Sequence, residues 1–215
     1  MNDRLRNHLV ALAAAVLTTA APAQAYEAGD WIVRAGPTGI LPVNSDSTDV
    51  PGIPNSGVEV DNAWTLGFTI AYLFTPNVGL ELLGVVPPKH DINGDNSISS
   101  LDKVATTRVL PPTLSLQYYF DLAPSIHPYV GAGINYTTFF DEDTKGALSG
   151  TSINLDDSWG LAGQLGIDYD IGSNWLVNAA VWYIDIDSQA HIRGIGNVDV
   201  NIDPWVVHLG FGHRF

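Results

Sequence analysis

Cysteine is missing from all 215 residues, which excludes disulfides, thiolate metal sites and cysteine nucleophiles at once. Basic side chains are scarce, with 9 Lys and Arg against 23 Asp and Glu. A chain this acidic lacks the positive footprint that nucleic acid demands, so no nucleic-acid partner is expected. Long hydrophobic runs are absent apart from residues 9–17. That run falls well short of the ~20 apolar residues that cross a bilayer as a helix. Helical periodicity is also hard to find beyond Tyr26. What is abundant is glycine and aromatic character, with 21 Gly, 6 Trp and 8 Tyr, and that composition points to strands.

The opening "MNDRLRNHLVALAAAVLTTAAPAQA" places Arg4 and Arg6 before the apolar run and closes on the small-x-small triplet Ala23-Gln24-Ala25. It has the order of a secretory signal peptide, residues 1–25, cleaved to leave Tyr26 first. Removing it takes away Arg4, Arg6 and Asp3, leaving 7 basic and 22 acidic side chains. Residues 26–215 suit a single domain. An exported chain without cysteine fits a bacterial envelope protein.

Read with period two, this domain falls into eight strands at about 30–41, 61–74, 77–87, 105–120, 127–140, 156–170, 175–187 and 202–215. Each reaches the ~9–11 residues that a tilted membrane strand needs. The connections alternate in length. "TPN", "DLAPSI" and "IGSN" are compact, whereas 42–60, 88–104, 141–155 and 188–201 are long, polar and rich in Gly, Asp, Asn and Ser. Short turns on one side and long loops on the other are the pattern of an antiparallel transmembrane β-barrel of the outer membrane.

The two faces agree with that fold. Strand two sets Trp64, Leu66, Phe68, Ile70, Tyr72 and Phe74 against Thr65, Gly67, Thr69 and Ala71. Strand six sets Trp159, Leu161, Leu165, Ile167 and Tyr169 against Gly160, Ala162, Gln164 and Asp168. A soluble sandwich would also alternate, but it has no reason to carry large aromatics at both ends of its apolar face. Hydrocarbon offers no partner to an open sheet edge, so strand eight, ending on Phe215, must close against strand one. Eight strands leave a narrow interior, mostly filled by side chains.

Sorted by height, the lower and middle interior receives Arg34, Glu81, Gln117, Tyr119, Asn135, Gln164, Asp168, Asn178, His208 and Arg214. Arg34 and Arg214 are expected to pair with Glu81 and Asp168, because an isolated charge in so confined a space is costly. The result is a polar plug. Above it the inward positions turn apolar: Leu83 and Val85, Val109 and Pro111, Trp182 and Ile184. This suggests a hydrophobic lumen open outward and blocked below, although simple packing of a narrow barrel gives the same side chains. "VVPPKH" and "VLPPTL" place Pro87 and Pro111 on antiparallel neighbours. Proline donates no ladder hydrogen bond, so this seam should open a lateral gap. For Pro87 and Pro88 a strand-end role is the plainer alternative, but it suits Pro111 poorly.

The stretches "AGDWIVRAG", "NVGLELL", "VLPPTL", "PYVGAGINYTTFF", "DSWGLAGQLGIDY", "NWLVNAAVWYIDID" and "DPWVVHLGFGHRF" resemble the OmpW family of outer-membrane proteins. They cover every strand but the second, which matches in pattern only. The loops 42–60, 88–104 and 188–201 depart. The resemblance implies an eight-stranded barrel through which small apolar compounds pass from outside and leave sideways into the membrane. It implies a constriction at Leu83 and Trp182 and a strand-breaking proline at Pro87. Phe215 and its alternating aromatic neighbours resemble the signal read by the outer-membrane assembly machinery, and a monomer in Gram-negative outer-membrane lipid and lipopolysaccharide is expected.

Three rivals remain. A lipid-modifying enzyme needs a nucleophile, base and orienter together; His90 with Asp91, and His191, lie in the outer loops without a serine at a convincing spacing, His213 faces lipid at the periplasmic end, and each reads as a solvated or interface histidine. No catalytic residue is assigned. A narrow porin for polar solutes needs a polar lumen. A displayed acidic surface, with Asp91, Asp95, Asp141, Glu142 and Asp143, matches no calcium-loop spacing. No metal or cofactor is expected.

Overall fold

The computed structural model describes residues 26–43 and 46–215; the expected signal peptide lies outside the described residues. Eight strands, numbered in chain order with those introduced below, build a wall: β1 (Trp31–Pro42), β4 (Ala63–Thr75), β5 (Val78–Val85), β8 (Thr113–Tyr119), β9 (Ile126–Thr144), β11 (Ser158–Gly172), β12 (Trp175–Ile184) and β15 (Pro204–Arg214). Neighbours are antiparallel in the order β11-β12-β15-β1-β4-β5-β8-β9, and β9 pairs back onto β11. Closure leaves the barrel wall without a free edge, which hydrocarbon requires.

The strand pattern decides which face meets which solvent. On β11, Leu161 is 70% exposed while Asp168 is 0% exposed. Polar inside and apolar outside is the inverse of a soluble protein, and it marks the outer surface as lipid-facing. Paired rings crown both ends of that surface. Tyr136–Trp159 and Tyr183–Trp205 stand at one rim, with centroids 4.8 and 5.2 Å apart, and Trp31–Tyr72 at the other, 5.0 Å apart. Trp64 and Phe74 end the apolar face of β4, and a ~3.3 Å rise at ~40° tilt puts them about 25 Å apart along the axis.

One rim carries tight turns. Ser173 and Asn174 join β11 to β12, both with positive φ, 53° and 62°, the geometry whose twist matches a two-residue hairpin. At the other rim the long connections are themselves β-structure: β2 (Asp46–Ser47), β3 (Ser56–Val60), β6 (Lys89–Asn96), β7 (Lys103–Leu110), β10 (Ile153–Leu155), β13 (Asp187–Ile192) and β14 (Gly196–Asn201). β7 pairs with the upper part of β9 and carries β6 and then β3, while β10-β13-β14-β2 form a second small sheet. Ile92, Val104, Leu155, Ala190, Ile192, Val198 and Val200 are buried, and the last five share one hydrophobic cluster with Ile40, Ile184 and Val206 of the barrel wall.

Among the strand boundaries that differ from the sequence reading, two fall at prolines. The single strand expected over 105–120 is split into β7 and β8 at Pro111-Pro112, and β5 ends at Val85, before Pro87. None of these prolines can donate to a ladder.

Candidate functional site

The floor of the site is a hydrogen-bonded polar cluster centred on Arg34, which β1 points into the barrel. All of its donor positions are engaged. Nε and Nη2 form a fork on Asp168, Nη1 reaches Glu81 at 2.9 Å and Thr69 at 3.4 Å, and Nη2 reaches Tyr119 at 3.1 Å. Asp168 also accepts from the Tyr26 hydroxyl at 2.7 Å and from Asn178 at 2.8 Å. Glu81 accepts from Gln164 at 2.7 Å, Gln164 from Gln117 at 3.1 Å, and Gln117 from Tyr119 at 2.7 Å. Buried charge is tolerated only when so fully bonded. Arg214 sits lower, its guanidinium 3.8 Å from Asp30 and over the Tyr26 ring.

Tyr26 and Tyr129 are cluster members that the sequence reading did not place. Tyr129 accepts from Asn178 at 2.9 Å and lies under the Arg34 guanidinium. Its ring fits because position 166 is glycine: a Cβ there would stand 2.2 Å from the ring. The clue available in the sequence was parity, since Tyr129 shares the phase of Asn135 on β9.

Immediately above, Leu83 and Trp182 are 1% and 0% exposed. Leu83 is the register partner of Thr69 and Trp182 that of Gln164, so both stand where polar cluster meets apolar interior. Higher still is an apolar chamber with a cavity volume of about 50 Å³. Val109, Pro111 and Ile184 line it, whereas Leu83, Val85 and Trp182 are buried outside its lining. Most of the wall comes from the outer hairpins, including Ile92, Leu155, Ile192, Val198 and Val200. Those positions alternate in "SQAHI" and "NVDVNI", a signal masked by their polar neighbours.

His90 requires a correction. It is 2% exposed rather than solvated, because β6 turns it into the chamber wall opposite Thr107. Its Nδ1–H donates to the Asp61 carbonyl at 2.8 Å, and burial lowers its pKa more than that bond raises it. His191 is exposed in part and bonded to Asp156 at 3.0 Å, which raises its pKa. The acidic surface residues Asp141 and Asp143 face Arg108 and Lys145 at 3.3 and 3.5 Å. Among the described residues no three His, Asp or Glu side chains gather as a metal site.

Beside the chamber the wall changes character. The β5–β8 ladder ends at Leu83↔Thr113, and the next rung on that seam is Lys89↔Arg108 between β6 and β7. Between them stand Gly84 to Pro88 on one side and Val109 to Pro112 on the other. Val109 N–H to the Pro88 carbonyl, at 3.3 Å, spans the interval, and Arg108 reaches the Pro87 carbonyl at 3.0 Å. On the far side Asn135 donates to the carbonyls of Pro111 and Pro112, both at 3.2 Å, and to Thr113 at 2.9 Å. Asn135 therefore seals the β8–β9 side of the proline break, while the ladder on the β5–β8 side stays incomplete.

Comparison with known proteins places this arrangement. The OmpW family model matches residues 27–215. Outer membrane protein W of Vibrio cholerae serotype O1 is 39% identical over 98% of this chain and 100% of its own. Outer membrane protein AlkL of Ectopseudomonas oleovorans is 35% identical over 88% of this chain and 84% of its own. The crystal structure of the outer membrane protein OprG from Pseudomonas aeruginosa is similar at a TM-score of 0.79 and 42% identity, covering 88% of this chain and 97% of that one.

Proposed function

The chain belongs to the OmpW family of outer-membrane proteins, and on that premise we propose that it is a passive channel for small hydrophobic molecules with lateral release into the membrane. It is a Gram-negative outer-membrane β-barrel related to AlkL and OprG. The observation that carries the proposal is the stacking of three features: an apolar chamber, a polar floor whose charged groups Arg34, Glu81 and Asp168 are hydrogen-bonded to one another, and an incompletely laddered seam beside them.

The energetics favour one route. An apolar solute gains roughly 25 cal/mol for each Å² withdrawn from water, so it enters the chamber readily. Going down would mean breaking the bonds that Arg34, Glu81 and Asp168 exchange, at a desolvation cost of several kcal/mol. Going sideways between β5 and β8 exchanges one apolar surrounding for another. Leu83 and Trp182 close the base, and Pro87 and Pro111 mark the exit.

A narrow porin for polar solutes is the competing role, and the apolar lining weighs against it. The two separate by measurement. Cells that express the barrel and carry a cytoplasmic naphthalene-oxidising enzyme should consume naphthalene severalfold faster than cells without the barrel. Planar bilayers holding the purified protein should show almost no ion current. Unchanged consumption together with steady conductance would overturn the proposal in favour of the porin.

A further inference from the structure

The small sheet of β10, β13 and β14 has two faces with different duties. Its inner face supplies Leu155, Ala190, Ile192, Val198 and Val200 to the chamber lining. On its outer face a hydrogen-bonded chain runs from Asp199 on β14 to Asp156, just past β10. Gln189 Nε2 donates to the Asp199 carboxylate at 2.6 Å, and Asn197 Nδ2 donates to Gln189 Oε1 at 3.1 Å. Asn197 Oδ1 and Asp156 Oδ2 then lie 3.0 Å from the two ring nitrogens of His191. The Asp199 end fixes the direction of the chain. A carboxylate accepts, so Gln189 turns its amide N–H to Asp199 and its oxygen to Asn197, which in turn presents its own oxygen to His191. Both imidazole nitrogens therefore face acceptors, and both are satisfied only when each carries a proton. The chain is built for the imidazolium.

We propose that His191 is a pH-sensitive clasp on the outer wall of the chamber, holding β10 against β13 and β14 while protonated and letting them part, and cargo exchange, once it is neutral. β10 has little other hold, being three residues long and meeting β13 at three rungs. The chamber needs a moving part. Its cavity is about 50 Å³, against ~150 Å³ for one that takes benzene, so the wall must yield to admit an aromatic compound. Losing one proton sets a ring-nitrogen lone pair against an oxygen. Asn197 cannot turn its amide to relieve this without setting its oxygen against that of Gln189. The hydrogen bonds to Asp156 and Asn197 raise the His191 pKa. The clasp is therefore whole below the ordinary imidazole value of 6.5 and is lost as pH rises through the higher folded value. The charged groups around the ring are Asp156 beyond β10, Asp187 and Arg193 on β13, and Asp199 on β14. Of these side-chain types, imidazole is the one that ordinarily changes charge near neutral pH.

The clasp rests on the channel reading only for its effect on cargo, so two readouts separate them. With the barrel in lipid nanodiscs, the His191 imidazole ¹⁵N signals follow its titration. Asp156 N–H to the Gln189 carbonyl and Arg193 N–H to the Ser152 carbonyl, both at 3.0 Å, tie the two ends of β10 to β13. Their hydrogen-exchange protection, corrected for the base-catalysed intrinsic rate, should fall about two- to fivefold as His191 deprotonates, the range of a half-exposed charged pair. His191→Phe should show the lower protection at every pH, and His191→Arg, a cation with several donors, the higher. Exchange of naphthalene with the chamber, read from the Ile192 methyl line width, should quicken over the same pH interval. Constant protection through the wild-type titration, or a pH dependence that survives in His191→Phe, overturns the clasp. Protection that falls while naphthalene exchange keeps one rate overturns its role in cargo entry. An Ile192 methyl that ignores naphthalene at every pH overturns the channel and that role with it, and the protection data still decide the clasp.

Discussion

At the scale of single residues, the interior is governed by what each buried polar atom can reach. Asp168 holds four hydrogen bonds, from Arg34 twice, Tyr26 and Asn178, whereas Glu81 accepts from Arg34 and Gln164. Removing either carboxylate leaves Arg34 with donors that have nowhere to go. Asp168→Ala should cost ~3–5 kcal/mol and Glu81→Ala somewhat less, by the usual penalty for breaking a buried pair. Urea unfolding of the barrels in detergent measures this, and two unchanged midpoints would rule out a structural role for the cluster. Residue parity made most of these inward side chains legible in the sequence, because a strand has only two faces. It could not reveal Tyr26, which lies outside any strand, nor His90, whose segment read as solvated loop. Partner identity was hidden for the same reason: parity gives the face, while register decides who meets whom.

At the scale of elements, the decisive feature is the interrupted seam between β5 and β8. Proline named the place from sequence alone, since a residue without an N–H cannot complete a ladder. What proline could not show was the hardware around the break. Asn135 seals one side of it, and Arg108 spans the other, from Asp141 to the Pro87 carbonyl. Pro87 and Arg108 give opposite expectations for the exit. Pro87→Ala restores a donor on the seam and should slow uptake of naphthalene, on the order of fivefold for one net hydrogen bond. Arg108→Ala removes a tie across the seam and should speed release or leave it unchanged, never slow it. Both are read as whole-cell consumption rates at matched protein in the membrane. Wild-type rates in Pro87→Ala cells would rule out the route past this proline. The outer hairpins were harder to read. Their Asp, Asn and Gly content is that of turns, yet alternate positions such as Val198, Val200 and Ile202 turn inward and are buried.

At the scale of the whole molecule, the barrel is one closed ring, and its last rung joins its two ends. Phe215 N–H donates to the Trp31 carbonyl at 2.9 Å, and Trp31 N–H donates back at 3.2 Å. Phe215 is 70% exposed, and its ring lies near that of His213, with centroids 4.5 Å apart. The backbone of this residue therefore belongs to the fold, whereas its side chain projects outward from the lower rim. Deleting Phe215 removes one rung, worth about 1–3 kcal/mol if both bonds contribute their usual net value. That loss alone should leave folding into lipid vesicles measurable, with a modest fall in yield. We propose that this exposed terminal ring is read by the machinery that inserts barrels into the outer membrane, and that machinery is absent from vesicles. The deletion should consequently reduce membrane insertion in cells at least tenfold more than it reduces spontaneous folding in vitro, with Phe215→Tyr close to wild type in both. Equal losses in the two assays would mean that the residue acts only by closing the ring.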